Sequence, residues 1–290
     1  MIGVIHLIAA STNIIAPINK IIPFSNVDGP GNRMAIFFQS CPFKCFYCHN
    51  PETINMCNHC GLCVEPCPVK ALSIKDNKVI WDETICIGCD TCIKVCPYLS
   101  SPKIKYMDIA SLLEQIKKAK PFIQGITVSG GEATNHIAFL TALFKEVKAL
   151  DLTTFIDTNG AHDFKKHQNL LNVTDKMMLD IKAHDNAYHQ YLTKSDNTIV
   201  LANLDYLLSI DKLYEVRTVL LHDAQRNIDT VSKIASKIKN KCYYKLIKYR
   251  PFGVRAEGLA ECGTTSVNDS QLIEMVALAH KYGATKTIAI

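Results

Sequence analysis

Three cysteines stand at the spacing Cys-x3-Cys-x2-Cys in Cys41-Pro-Phe-Lys-Cys45-Phe-Tyr-Cys48. Thiolates so spaced can hold a four-iron cluster through three irons and leave the fourth without a protein ligand. Full protein ligation of such a cluster takes four cysteines, so a triplet apart from the other cysteine runs implies that a substrate or cofactor completes the site. The open iron is then a place for redox chemistry. The plainer alternative is a zinc knuckle, because cysteine pairs two apart also bind zinc tetrahedrally.

Eight more cysteines form two matching runs, Cys57-x2-Cys60-x2-Cys63-x3-Cys67-Pro68 and, after an 18-residue gap, Cys86-x2-Cys89-x2-Cys92-x3-Cys96-Pro97. This is the bacterial two-cluster ferredoxin pattern stated twice, in which the fourth cysteine of each run ligates the other cluster. It predicts one 4Fe-4S cluster on Cys57, Cys60, Cys63 and Cys96 and a second on Cys86, Cys89, Cys92 and Cys67, three clusters in all with the triplet. Two structural zinc sites are the alternative, which the double period and the terminal prolines disfavour. The pair could relay electrons toward the triplet, or staple the fold and dock a reductase. Ala71 to Ile74 and Lys78 to Trp81 read as a small hairpin over the clusters.

Composition narrows the class. The 290 residues suffice for one large domain or two ordinary ones. A net charge of +5, with lysines scattered along helical stretches, does not indicate nucleic-acid binding. Eleven of thirteen cysteines lie between Cys41 and Cys96 at metal-ligand spacings, which points to a reducing compartment, the cytoplasm. The apolar stretch from Met1 to Ala16 has no basic flank, is broken by His6, Ser11, Thr12 and Asn13, and is too short to span a bilayer, so neither a signal peptide nor a membrane anchor is expected. Ile18 to Pro23 reads as the first core segment, with Met1 to Pro17 unexplained.

The frame that must position the cysteines alternates helix and strand. A strand near Arg33 to Ser40 is followed, past the cysteine runs, by a helix from Met107 to Lys120 and a strand at Gly125–Ser129. A helix from Asn135 to Ala149 comes next, then strands at Thr154–Asp157, Met177–Ile181, Tyr214–Leu220 and Tyr243–Lys248. The pattern predicts a parallel α/β sheet of about six repeats, fewer than the eight of a closed barrel. Chemistry in such folds gathers at the C-terminal strand ends, and polar residues recur there: Ser129-Gly130-Gly131-Glu132-Ala133-Thr134, Asp157-Thr158-Asn159-Gly160 and Asp180-Ile181-Lys182. Two glycines let backbone approach a ligand closely. Plainer readings are a loop entering a helix for the first motif and helix N-caps for Asp157 and Asp180. Arg217, in an otherwise apolar strand, is costly unless paired, so it points into a cofactor cavity or meets a carboxylate.

The triplet, with His49-Asn50-Pro51-Glu52 after it and Val27-Asp28-Gly29-Pro30-Gly31-Asn32-Arg33 before it, resembles the radical S-adenosylmethionine superfamily and, within it, the activases of glycyl radical enzymes. The insert position and Ser-Gly-Gly-Glu-Ala-Thr resemble the YjjW-type subgroup with its two-cluster insert. The resemblance covers nearly the whole chain after residue 18. It implies an incomplete (β/α)6 TIM-like barrel over residues 18–52 and 103–290, interrupted by a ferredoxin-like domain at 53–102. The implied reaction is reductive cleavage of S-adenosylmethionine to a 5′-deoxyadenosyl radical, which takes hydrogen from a backbone glycine of a partner glycyl radical enzyme. The reductant would be of flavodoxin or ferredoxin type.

The resemblance also implies roles. Cys41, Cys45 and Cys48 carry the catalytic cluster. The loop of Gly130, Gly131 and Glu132 binds the amino group of the methionyl moiety. Asp157 and Thr158, with Asp180 and the backbone near Met178, hold a monovalent cation beside the cofactor's carboxylate, and Lys182 contacts the same end. Arg217 faces the cofactor and Tyr47 stacks on adenine or packs over the cluster, while Asp28 lines the partner's entry. Two departures stand out: Ala133 where activases often have proline, and Tyr249-Arg250-Pro251 where they place a histidine after the sixth strand. Rival readings are a radical enzyme modifying another protein side chain, as in sulfatase maturation, and a multi-cluster electron carrier. The first expects its auxiliary clusters after the barrel, and the second has no reason to keep the Gly-Gly-Glu loop.

Overall fold

The structure, a computed structural model, describes residues 14–290, so most of the apolar N-terminal stretch lies outside the described residues. Eleven strands are described: β1 (Ile15–Ser25), β2 (Arg33–Phe38), β3 (Leu72–Lys75), β4 (Lys78–Trp81), β5 (Lys105–Asp108), β6 (Gly125–Gly130), β7 (Thr153–Thr158), β8 (Lys176–Asp180), β9 (Leu213–Leu220), β10 (Tyr243–Lys248) and β11 (Thr287–Ala289). Nine form one open sheet, in the order β11-β10-β9-β8-β7-β6-β2-β1-β5. From β2 to β11 neighbours pair in parallel, and β1 pairs antiparallel with both β2 and β5.

Alternation along the strands creates two unlike faces. Ile126, Val128, Ile156, Met177, Leu179, Val216, Tyr244 and Leu246 are fully buried in the main core, most of them under helices such as Ile137–Lys148 and Ala224–Ile238. The opposite phase carries Thr127, Ser129, Asp157, Asp180, Glu215, Arg217 and Lys245. A parallel sheet is ordinarily apolar on both faces, so this polar inner face marks where chemistry belongs.

The six expected strands are present to within a residue or two. The first core segment is longer than expected, Ile15–Ser25, and Pro23 falls where the β1–β2 register shifts, a position that needs no ladder N–H. The helix expected from Met107 instead covers Ile109–Ala119, because Met107 and Asp108 pair with Ala16 and Ile15 as strand. Asp108 then caps the helix, accepting from Ser111 N–H at 2.8 Å.

The segment between β2 and β6 leaves the sheet and returns through β5. β3 and β4 form the expected hairpin around Asp76-Asn77, both in the left-handed region (φ 50° and 58°), as a two-residue turn requires. Buried Gln39, just after β2, joins this segment to the sheet. Its Nε2 donates to the carbonyls of Glu52 (2.7 Å) and Asn55 (2.6 Å), and its Oε1 accepts from Asn19 Nδ2 (2.8 Å). Asn55 N–H in turn donates to Leu99 O at 3.0 Å, closing the neck.

Candidate functional site

The cysteine loop follows β2 and is clamped from two sides. Lys44 and Phe46 N–H donate to the carbonyls of Thr193 (2.9 Å) and Leu192 (3.0 Å), and Cys41 N–H donates to Ile54 O (2.9 Å). On the other side the segment after β10 presses against it: His49 Nε2 is 2.8 Å from Arg250 O, and a Cβ on Gly258 would stand 1.9 Å from Phe46 O. Where activases place a histidine, the Arg250 side chain is therefore exposed and its backbone meets the cysteine loop. Burial pushes all three thiols up, Cys45 to about 12. Thiolates there need a strong local positive charge, which bound iron supplies.

The Gly-Gly-Glu loop packs directly on this segment. A Cβ on Gly130 would lie 2.2 Å from Phe38 N, and one on Gly131 would lie 2.2 Å from Ser40 O. Both glycines are thus required by backbone approach within the chain itself. Glu132 is fully buried and accepts four hydrogen bonds: Oε1 from Thr134 N–H (3.0 Å), Thr134 Oγ1 (2.6 Å) and Thr158 Oγ1 (2.9 Å), and Oε2 from Asn159 N–H (2.7 Å). Burial pushes its carboxyl up while these donors pull it down, and burial prevails. Glu132 therefore braces the turn after β7.

Asp157 and Asp180 are not helix caps. Asp157 Oδ2 accepts from Ser129 Oγ (3.0 Å) and from Arg217 Nη1 (2.9 Å). Asp180 Oδ2 accepts from Lys182 Nζ at 2.5 Å. Burial alone would lower Lys182, but Asp180, Tyr47 and Cys45 outweigh it and hold the ammonium well above its ordinary value. Arg217 meets two carboxylates, since its Nε also donates to Glu215 at 2.5 Å, and buried Glu215 pairs with Lys245 at 2.8 Å. Thr158 Oγ1 is committed to Glu132 and to Gly160 N–H.

Tyr47 is buried with Lys182 Nζ 5.9 Å from its ring centroid, and its hydroxyl has no partner among the described residues. Asp28 stands apart from this group, toward the N-terminal strand ends, where Thr127 Oγ1 donates to its carbonyl and Ser25 Oγ to its carboxylate. In the inserted segment, one cavity is lined by Cys57, Cys60, Cys63, Cys92 and Cys96 and another by Cys67, Cys86, Cys89 and Cys92, so Cys92 lines both. Among the described residues no three His, Cys, Asp or Glu side chains converge as a single-ion site.

Glu215 and Lys245 are site residues that the motifs do not include, and Asn159 stands within Asp157-Thr158-Asn159-Gly160 with no role of its own expected there. Glu215 and Lys245 carry a signal nonetheless: Glu215 shares the inward phase of Arg217, and Lys245 is the register partner of Arg217 on β10.

Three thiols and a set of paired charges gather at one end of a mostly parallel sheet, as expected of an enzyme of the radical S-adenosylmethionine class. Residues 27–201 match the family described as a 4Fe-4S single cluster domain. A Haemophilus influenzae protein bearing the name of a glycyl-radical enzyme activating enzyme is 31% identical over 97% of this chain and 99% of its own. The pyruvate formate-lyase-activating enzyme of Streptococcus mutans is 30% identical over 81% of this chain and 78% of its own. The choline trimethylamine-lyase activating enzyme of Oleidesulfovibrio alaskensis is 29% identical over 82% and 85%. In fold, Streptococcus suis SuiB bound to S-adenosylmethionine superposes with a TM-score of 0.52 at 14% identity, over 87% of this chain and 48% of that one. The chain belongs to the glycyl radical enzyme activating enzymes, and it is an enzyme of that class.

Proposed function

We propose that this chain activates a partner glycyl radical enzyme by reductive cleavage of S-adenosylmethionine at a 4Fe-4S cluster held by Cys41, Cys45 and Cys48. The observation that carries the reading is that the cysteine loop, the Glu132 brace and the Asp157–Arg217 and Asp180–Lys182 pairs meet at one end of the sheet. When bound, cluster and S-adenosylmethionine would supply an electron and a 5′-deoxyadenosyl radical that takes hydrogen from a backbone glycine.

The chain's own part is binding, orientation and exclusion of water. Lys182 and Arg217 are the cations that would meet the cofactor's carboxylate, each fixed by a carboxylate of the chain. The loop of Gly130 and Gly131 would meet its amino group with backbone, because Glu132 is already spent on four internal donors. Tyr47 would cover the adenine side. Asp157 and Asp180 use only Oδ2 for protein contacts among the described residues, which leaves both Oδ1 atoms for a monovalent cation; the resemblance adds Thr158, whose Oγ1 here serves Glu132 and Gly160 N–H.

The same reading takes residues 18–52 and 103–290 as an incomplete barrel and 53–102 as a two-cluster insert of the YjjW type. The cysteine sets around the two cavities support it. Asp28 would line the entry of the partner's loop from its station toward the N-terminal strand ends, beside Ser25 and Thr127, and a flavodoxin or ferredoxin would reduce the clusters. No described helix is long and apolar enough to cross a membrane, and the reading places the protein in the cytoplasm.

The test is anaerobic reconstitution, reduction with dithionite, and addition of S-adenosylmethionine with a glycyl radical enzyme from the same genome neighbourhood. A glycyl radical doublet in the EPR spectrum is expected. Formation of 5′-deoxyadenosine without a doublet from any such partner would overturn the activase reading, and absence of both would overturn the radical chemistry.

A further inference from the structure

Asn159 follows β7 and is buried, 8% exposed. Its backbone N–H is held by Glu132 Oε2 at 2.7 Å, and its Oδ1 accepts from Ala161 N–H at 3.0 Å. That second bond decides which way the side-chain amide points, because only oxygen can face an N–H donor. The NH2 end is therefore turned outward, and Nδ2 lies 3.4 Å from Cys41 Sγ. Among the described residues Asn159 is the one side chain that donates to any sulfur of the triplet.

We infer that Asn159 tunes the electron affinity of the cluster bound by Cys41, through an N–H···S hydrogen bond whose direction Glu132 and Ala161 fix. The inference rests on the reading above that Cys41 is a cluster ligand. The physical reason is charge: one added electron makes the ligating sulfurs more negative, so a donor aimed at Sγ stabilises the reduced state more than the oxidised one. Asn159 exchanges no proton and no electron, and its neutral amide stays as it is. Glu132, a buried carboxylate close by, works in the opposite sense on Cys41, and the turn after β7 sets both. The same contacts explain why Asn159 follows Thr158 so closely: Thr158 Oγ1 donates to one oxygen of Glu132 and Asn159 N–H to the other.

The test is an EPR-monitored redox titration of the reconstituted full-length protein, following the reduced-cluster signal that changes shape when S-adenosylmethionine is added. Asn159→Ala removes the donor, and Asn159→Asp keeps the acceptor for Ala161 N–H but sets a carboxylate toward the sulfur. Asn159→Ala is expected to lower the reduced-to-oxidised ratio at a given potential roughly tenfold, which is about 59 mV on a one-electron couple. Asn159→Asp should lower it further, and iron content should stay at the parent level in both. A midpoint in Asn159→Ala equal to the parent's overturns the inference. So does loss of the triplet's iron in both variants, because a tuning residue leaves its cluster in place. If the parent itself gives no signal responsive to S-adenosylmethionine, the failure lies with the assignment of Cys41 as ligand.

Discussion

Replacing Glu132 by Gln separates a structural brace from a ligand contact. The carboxylate serves four donors: Thr134 N–H, two threonine hydroxyls and Asn159 N–H. A glutamine amide has one acceptor end. With its oxygen toward the threonines, its NH2 opposes Asn159 N–H; with its oxygen toward Asn159, its NH2 opposes Thr134 N–H. The hydroxyls can turn and accept, but a backbone N–H cannot, so either pose orphans one buried backbone donor at about 1–3 kcal/mol. For a chain of this size that corresponds to a fall in melting temperature of about 2–6 °C, read by anaerobic thermal denaturation of protein with matched iron content. Glu132→Ala orphans both N–H groups and leaves a cavity, so its fall should be larger. If Glu132→Gln melts within a degree of the parent and only binding of S-adenosylmethionine weakens, the carboxylate is a ligand contact and the reasoning from its four donors is wrong.

Other outcomes follow from the same geometry. Arg217→Met leaves Asp157 buried with Ser129 alone, while Glu215 keeps Lys245, so a loss of about 3 kcal/mol is expected; the Asp157→Asn/Arg217→Met double variant should melt above the value additivity predicts, and strict additivity would count against the pair. Iron counting tests the crossed ligation of the insert: Cys57→Ser/Cys96→Ser should lose no more iron than Cys57→Ser, whereas Cys57→Ser/Cys67→Ser should lose about twice as much. His189 is buried edge-on to Phe43 at 5.4 Å between ring centroids, and burial holds its imidazole neutral with a pKa lowered to about 4. The unfolded chain takes up that proton near pH 6.5, so stability is full above 6.5 and falls as pH drops toward 4, by up to about 3 kcal/mol. His189→Leu should flatten the melting profile across that window.

Much of this site was legible in the sequence because its chemistry is local. Cysteine spacing needs no fold to be read, and polar residues ending apolar strands announce the C-terminal face wherever the sheet lies. What escaped is long-range. Asn159 meets Cys41 across 118 positions, and Arg33, read as part of a motif, anchors β2 through Thr127 and Thr153, 94 and 120 positions away. Gly130 and Gly131 look like a ligand-binding loop in sequence, and only the path of residues 38–40 reveals that the chain's own backbone excludes a Cβ. The edge strands β5 and β11 were hidden because three or four residues carry too little periodicity to outweigh the helices beside them.

The two candidate roles of the inserted segment would become one if clusters fold it. Its own core cluster buries Cys63, Leu72, Val79 and Cys92, of which only Leu72 and Val79 are not thiols. Val64, Trp81 and Ile93 pack against it only partly buried, so the segment has a small apolar core of its own. Hydrogen bonds at the Gln39 neck hold its ends but not its middle. On the proposed function, clusters bound by the segment would add to its stability, since metal binding is folding free energy where no site exists in the unfolded chain. Clusters that folded the segment would also be held at a fixed station relative to Cys41, so the staple would make a relay possible. Stripping iron with a chelator should therefore release the amides of residues 57–96 to rapid hydrogen exchange while β6, β7 and β8 stay protected. Retained protection over 57–96 in iron-free protein would mean that the segment folds without its clusters, and the two roles would separate again.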